Sequence, residues 1–295
     1  SVLTSPDGRP RPLAAALQSP DDDVRFTALQ AILKIHPQTS FAGASYVVDS
    51  LWYFAAGGGD PTALAAAGTL GRANLWAGQL RSLGYDAVAA STGREALGRV
   101  LDPTRAARLA VVLIDSDVSL PGVREVVFQI RRDAKTGRTP IAVLSSLARL
   151  DEMEQLAESD PWTIAEPRPH GSAAMSALLE RIAELPTPGL ADDEVRLVRA
   201  RFALQSIARM LASDASSDQL RRDVELAERA LYQAELTAAA LEVLERAGTT
   251  GSQRALLDYL SAGALPIESR QAAAEAFRQS VEHFGVQLPP EAIAR

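Results

Sequence analysis

The stretch Leu80-Arg81-Ser82-Leu83-Gly84-Tyr85-Asp86-Ala87-Val88-Ala89-Ala90-Ser91-Thr92-Gly93-Arg94-Glu95-Ala96-Leu97 decides how this chain is read. It closes one amphipathic segment (70–83), breaks at Gly84, crosses a short apolar run at Ala87–Ala90 and opens a second amphipathic segment (93–101). A brief apolar run between turn residues reads as a buried strand, and helical spacing on either side reads as crossover helices. The same texture holds from 62 to about 185, with apolar runs at Thr62–Ala67, Ala87–Ala90, Leu109–Ile114, Ile141–Leu144 and Trp162–Ala165. Helical candidates lie between and after them, near 70–83, 93–101, 122–132, 147–158 and 171–185. Strand followed by helix, repeated five times, predicts a five-stranded parallel, doubly wound sheet covered on both faces. Each crossover is expected to be right-handed.

Outside this region the texture is helical. Pro20-Asp21-Asp22-Asp23-Val24-Arg25 supplies cap residues and acids to a helix carrying Phe26, Leu29, Ile32 and Leu33 on one stripe. His36-Pro37 closes it, because proline disfavours helical geometry in the residue before it. An apolar helix from about Phe41 to Ala56 follows; Ser45, Asp49 and Ser50 interrupt it, so it reads as buried rather than as a membrane anchor. Gly57-Gly58-Gly59-Asp60-Pro61 marks a boundary. Pro186, Pro188 and Gly189 mark the next. From Ala191 to Ala247 there is neither Gly nor Pro, which predicts long helices split once near Ser213–Asp218. Two further helices are expected near 252–262 and 267–284. Three domains follow: a helical segment 1–59, an α/β domain 60–187 and an all-α domain 188–295.

Composition narrows the function classes. The chain has 295 residues, 47% of them hydrophobic, with a net charge of −7. An acidic chain argues against general nucleic-acid binding. No window approaches the ~18 apolar residues a membrane span needs. The absence of cysteine removes thiol catalysis, Cys-ligated metals and disulfides. His36, His170 and His283 are scattered, which leaves little for a histidine-based metal or acid–base site. No cofactor is expected. Of the 30 basic residues only Lys34 and Lys135 are lysines. A first residue Ser rather than Met suggests a piece of a longer chain, and a cytoplasmic location is the expectation in the absence of a signal peptide.

Two resemblances attach to particular residues. Leu13 to Arg25, with its Asp…Val-Arg opening after a turn, resembles a HEAT-like helical repeat, and Leu241–Gly285 resembles the same pattern more loosely. Such repeats bury their faces by stacking on neighbours and usually bind protein partners. The second resemblance is to the receiver domain of two-component signalling. Leu80–Leu97 is similar to its first helix, second strand and second helix. Val111-Val112-Leu113-Ile114-Asp115-Ser116-Asp117-Val118-Ser119-Leu120-Pro121-Gly122 is similar to its third strand and phosphoacceptor loop, and Pro140–Ser146 to its fourth strand and terminal hydroxyl. The resemblance implies a flavodoxin-like, receiver-type sheet.

It also implies a site. In that family two acids after the first strand and a phosphoacceptor aspartate hold Mg²⁺, while a hydroxyl and a lysine bind the phosphoryl oxygens. By the family's spacing the acid pair falls on Ala67 and Gly68, which offer no side-chain ligand. The phosphoacceptor falls on Asp117, with Asp115 as a second reading, and the switch hydroxyl on Ser145. The lysine position falls on Glu166, which is expected to face Asp117 and repel a phosphoryl group; Arg168 lies two residues late. The expectation is therefore a pseudo-receiver set between helical segments, non-enzymatic and metal-free, that binds unidentified protein partners. The alternative is an atypical phospho-acceptor working through Asp117 and Ser145. Ser172 in His170-Gly171-Ser172 is expected to cap a helix, and Arg131, Arg132, Lys135 and Arg138 to form a solvated basic patch.

Overall fold

The computed structural model of the chain describes residues 9–35, 37, 41–186, 189–213 and 217–289. His36, Pro188 and Asp214–Ser216, to which the sequence assigned helix ends and breaks, lie outside the described residues. The elements follow in the order α1 (Pro12–Ala15), α2 (Asp22–Ile35), α3 (Ala44–Ala55), β1 (Thr62–Ala66), α4 (Leu70–Ser82), β2 (Asp86–Ala90), α5 (Gly93–Val100), α6 (Pro103–Ala106), β3 (Leu109–Asp115), α7 (Val123–Arg132), β4 (Ile141–Ser145), α8 (Leu150–Ala157), β5 (Thr163–Pro167) and α9 (Ser172–Ala183). After them come α10 (Asp193–Ala212), α11 (Ser217–Arg222), α12 (Glu225–Ala230), α13 (Thr237–Ala247), α14 (Thr250–Ser261) and α15 (Ile267–Phe284). The chain divides into two compact units: residues 18–25 with 60–192, and residues 1–17, 26–59 and 193–295.

The α/β unit holds one sheet of five parallel strands in the order β2-β1-β3-β4-β5. This is the strand order of the flavodoxin-like doubly wound fold, whose switch point lies between β1 and β3. Successive residues of a strand face opposite sides, and the strands are apolar on both. Leu64, Val112, Ile114, Ile141 and Val143 join α5, α7 and Met153 of α8 in one core. Ala63, Ala65, Val111, Leu113, Ala142 and Leu144 join α4 and α9 in the other. Ala63 and Ala65 of β1 share that second core with Trp76, the largest fully buried side chain among the described residues; small strand residues leave room for the indole at native packing density.

The helical unit brings together α3, α10 and the helices after it. Leu51, Trp52, Tyr53 and Phe54 of α3 are buried, and α3 lies against α10 and α12. Phe26 stacks edge-on with Phe54 at 5.0 Å and with Phe202 at 5.4 Å. The α13–α14 corner turns on Gly248, whose φ of +59° suits glycine and whose absent Cβ makes room for the Phe284 ring. Thr249 and Ser252 then form a reciprocal capping box for α14. The expectation of two long helices over 191–247 is corrected: the stretch forms α10 to α13. At the last break the Thr237 hydroxyl donates to the carbonyls of Leu231 (2.9 Å) and Gln233 (3.0 Å), which gives the backbone a partner outside the helical ladder.

Candidate functional site

At the carboxyl ends of β3 and β5, beside the switch point, a cluster of charged residues of the α/β unit gathers. Asp115 is the last residue of β3 and is fully buried. A charge in that position needs partners, and it has them. Arg72, in the first turn of α4, donates Nη1–H to Asp115 Oδ2 at 2.6 Å. Arg168, just past the end of β5, donates Nε–H to Oδ2 at 3.1 Å and Nη2–H to Oδ1 at 2.7 Å, a two-pronged clamp. Asp115 Oδ1 also accepts the backbone N–H of Asp117 at 2.9 Å. The hydrogen bond to Asp115, with the charge of both aspartates, raises the pKa of the Arg168 guanidinium above its ordinary value.

Asp117 stands one step outward, its side chain 44% exposed. Its Oδ2 accepts from Arg168 Nη2 and lies 3.5 Å from Arg72 Nη1. Its Oδ1 accepts from Arg149 Nη1 at 3.2 Å. Arg149 also donates to the carbonyl of Ser116 (3.4 Å), and so fastens the turn after β4 to the loop after β3. Two carboxylates therefore sit among three guanidinium groups.

The residues expected from the sequence divide between this cluster and its surroundings. Ser145 is buried beside it, its hydroxyl accepting from Ser116 Oγ at 3.2 Å. Ala67 is buried in the core that covers the α4–α9 face. Gly68 passes so close that a Cβ there would lie 2.8 Å from the Asp117 carbonyl oxygen; an acidic side chain at that position would force Asp117 to move.

Glu166 is not brought to the cluster. It lies on β5 beside Leu144 of β4, and Arg181 of α9 pairs with it at 2.7 Å. The expectation that Glu166 faces Asp117 is corrected on that ground: its side chain joins the α9 side, while Arg168 reaches back round the strand end. Burial pushes the Glu166 carboxyl above its ordinary pKa, against the opposing pull of Arg181. Two other readings are also corrected. Gly171, not Ser172, occupies the cap position of α9. Arg131 belongs to no solvated patch, because it pairs with Asp160 and donates to the carbonyls of Thr139 (2.8 Å) and Trp162 (3.0 Å).

Arg72 and Arg149 were not singled out from the sequence; each acquires its role only when its helix or turn is placed at the sheet end. Among the described residues no group of three or more His, Cys, Asp or Glu side chains stands together as a metal would require. No described helix is long and apolar enough to cross a membrane. No protein-family model, no curated protein and no solved structure matches the chain.

Proposed function

We propose that this protein is a non-catalytic protein-interaction module of a signalling scaffold, built on a receiver-like domain whose phosphotransfer site has been converted into a fixed ion-pair cluster. The observation that carries this reading is the Arg72–Asp115–Arg168 clamp. A receiver's Mg²⁺ would be held by a strand-end aspartate and two acids after the first strand. Here those acid positions are Ala67 and Gly68, and both oxygens of Asp115 are engaged by N–H donors. The residues present do not fit the metal. Arginine also differs from the family's lysine, since its planar fork locks a carboxylate rather than following a moving phosphoryl group. The helical segments, which resemble partner-binding repeats, supply the second interaction surface in this reading.

Thermal melting of the full chain with Mg²⁺ and beryllofluoride, a phosphoryl mimic, beside untreated protein and Asp117→Asn, tests it. A ligand that binds only the folded state at 100 times its dissociation constant adds about 2.7 kcal/mol. No Mg²⁺-dependent shift is expected. A shift that needs Mg²⁺ and vanishes in Asp117→Asn would overturn the reading in favour of a phospho-accepting switch through Asp117 and Ser145.

A further inference from the structure

The charges at the switch point do not cancel. Asp115 is fully committed, both of its oxygens being engaged by Arg72, Arg168 and the Asp117 N–H. Arg149 also pairs with Glu152 (3.3 Å), which Arg124 shares (3.9 Å); the four guanidinium groups set against Asp115 and Glu152 leave +2, of which Asp117 neutralises half. Asp117 does so from an exposed side chain at 3.2 Å from Arg149 and 3.5 Å from Arg72. The outward donors Arg72 Nε and Nη2, Arg168 Nη1 and Arg149 Nη2 make no hydrogen bond among the described residues. In a doubly wound sheet this crevice, outside the strand ends where the order reverses, is where ligands settle.

A phosphate monoester carries a charge of about −1.5 to −2 at pH 7 and three strong acceptor oxygens. That charge matches the +2, and those oxygens match three planar forks better than a single carboxylate does. We propose that Arg72, Arg149 and Arg168 form a metal-independent binding site for a phosphate monoester dianion, with Asp117 as the internal ligand that the ester displaces. The carrier of the phosphate meets apolar surface. Leu120 and Leu147, 74% and 76% exposed, are the two most exposed large hydrophobic side chains among the described residues and stand on the loops leaving β3 and β4. Leu120 is held there at a φ of +58°, a conformation leucine rarely adopts. The carrier is accordingly a phosphorylated side chain of a protein partner. This choice rests on the interaction reading above; the anion site itself does not.

Calorimetric titration of the full chain in EDTA with phenyl phosphate, inorganic phosphate and phenyl sulfate tests the site. Phenyl phosphate is expected to bind, and the monoanionic sulfate ester to bind far more weakly. Arg149→Gln, at an exposed position, should weaken the phosphate ester about tenfold or more, the scale of one charge-assisted hydrogen bond. Asp117→Asn should tighten it, because the internal competitor loses its charge. Lowering the pH to 5 should weaken binding as the ester takes up its second proton, whose pKa is about 6. A phosphoserine peptide with flanking leucines should bind more tightly than inorganic phosphate, and Leu147→Asp should erase that margin; equal affinities would overturn the protein carrier.

No binding of phenyl phosphate at concentrations on the order of 10 mM, beyond the weak end of specific affinities, would overturn the site. So would indifference to Arg149→Gln, or weakening by Asp117→Asn. A Mg²⁺-dependent beryllofluoride shift would instead overturn the non-catalytic reading and leave the EDTA result untouched.

Discussion

Arg168 is the residue on which the site turns. It reaches a fully buried carboxylate with two donors and a half-exposed one with a third contact. Breaking a buried ion pair from one side strands the other charge, which costs about 3–5 kcal/mol. Arg72 remains on Asp115, so Arg168→Ala is expected to cost somewhat less, about 2–4 kcal/mol, measured by urea denaturation. Arg168→Lys should recover only part of this, since an ammonium cannot bridge both oxygens in one plane. A loss below ~0.5 kcal/mol, the range of ordinary surface substitutions, would show that Asp115 does not depend on the clamp. Sequence spacing could find Asp115, Asp117 and Ser145 because they sit at strand ends, where register is nearly fixed. It placed Glu166 at the cation's position and missed the role of Arg168 because a strand-end count follows backbone position, whereas a long side chain two residues on can fold back over the edge. Arg72 was invisible for a related reason: its partner lies 43 residues away in sequence.

At the scale of elements, the sheet was legible almost residue for residue. The run Ile141–Leu144 became Ile141–Ser145, and Leu109–Ile114 became Leu109–Asp115. Strands buried on both faces read as continuous apolar runs, and their hydrophilic ends fall where the site begins. Less legible was what fastens the edge strand β5. Arg131 from the last turn of α7 pairs with Asp160, and Asp160 also accepts from the Thr163 hydroxyl and the Trp162 N–H. Burial works to raise the Asp160 pKa, but the hydrogen bonds from Thr163, Arg131 and Trp162 outweigh it, and the net effect is a lowering from 3.8. A carboxyl with a depressed folded pKa contributes stability that is present above its unfolded value and lost as pH falls through the folded value. Asp160→Asn should therefore destabilise the protein by about 1–3 kcal/mol at pH 7. The difference from the parent should shrink steadily below pH 3.8, so that the two acid-unfolding curves converge. Parallel curves with a constant offset would mean that the ionised carboxylate is not the source of the effect.

At the scale of the whole molecule, the helices flanking the sheet in sequence share one unit, made of residues 1–17, 26–59 and 193–295. The HEAT-like resemblance covers only Leu13–Arg25 and Leu241–Gly285, and such repeats bury their faces by stacking on neighbours. Which surface each end would take as its neighbour depends on packing between residues more than a hundred positions apart, and periodicity carries no record of that. The aromatic contacts supply it: Phe26 lies between Phe54 of α3 and Phe202 of α10. Arg196 of α10 reinforces the join by donating to the carbonyls of Gly57 (3.1 Å) and Gly59 (3.0 Å). A fragment ending at residue 192 loses Phe202 and Arg196, while the α/β unit keeps both cores of its sheet. Each large aromatic side chain buries roughly 150–250 Å² in such packing, so the fragment should expose a contiguous apolar surface of the size that drives association. It is expected to bind an apolar dye strongly and to self-associate, while its α/β unit still melts cooperatively by circular dichroism. A fragment that stays monomeric and dye-silent would mean that α2 and α3 cover their apolar faces without α10, and that the helical unit is two independent pieces rather than one.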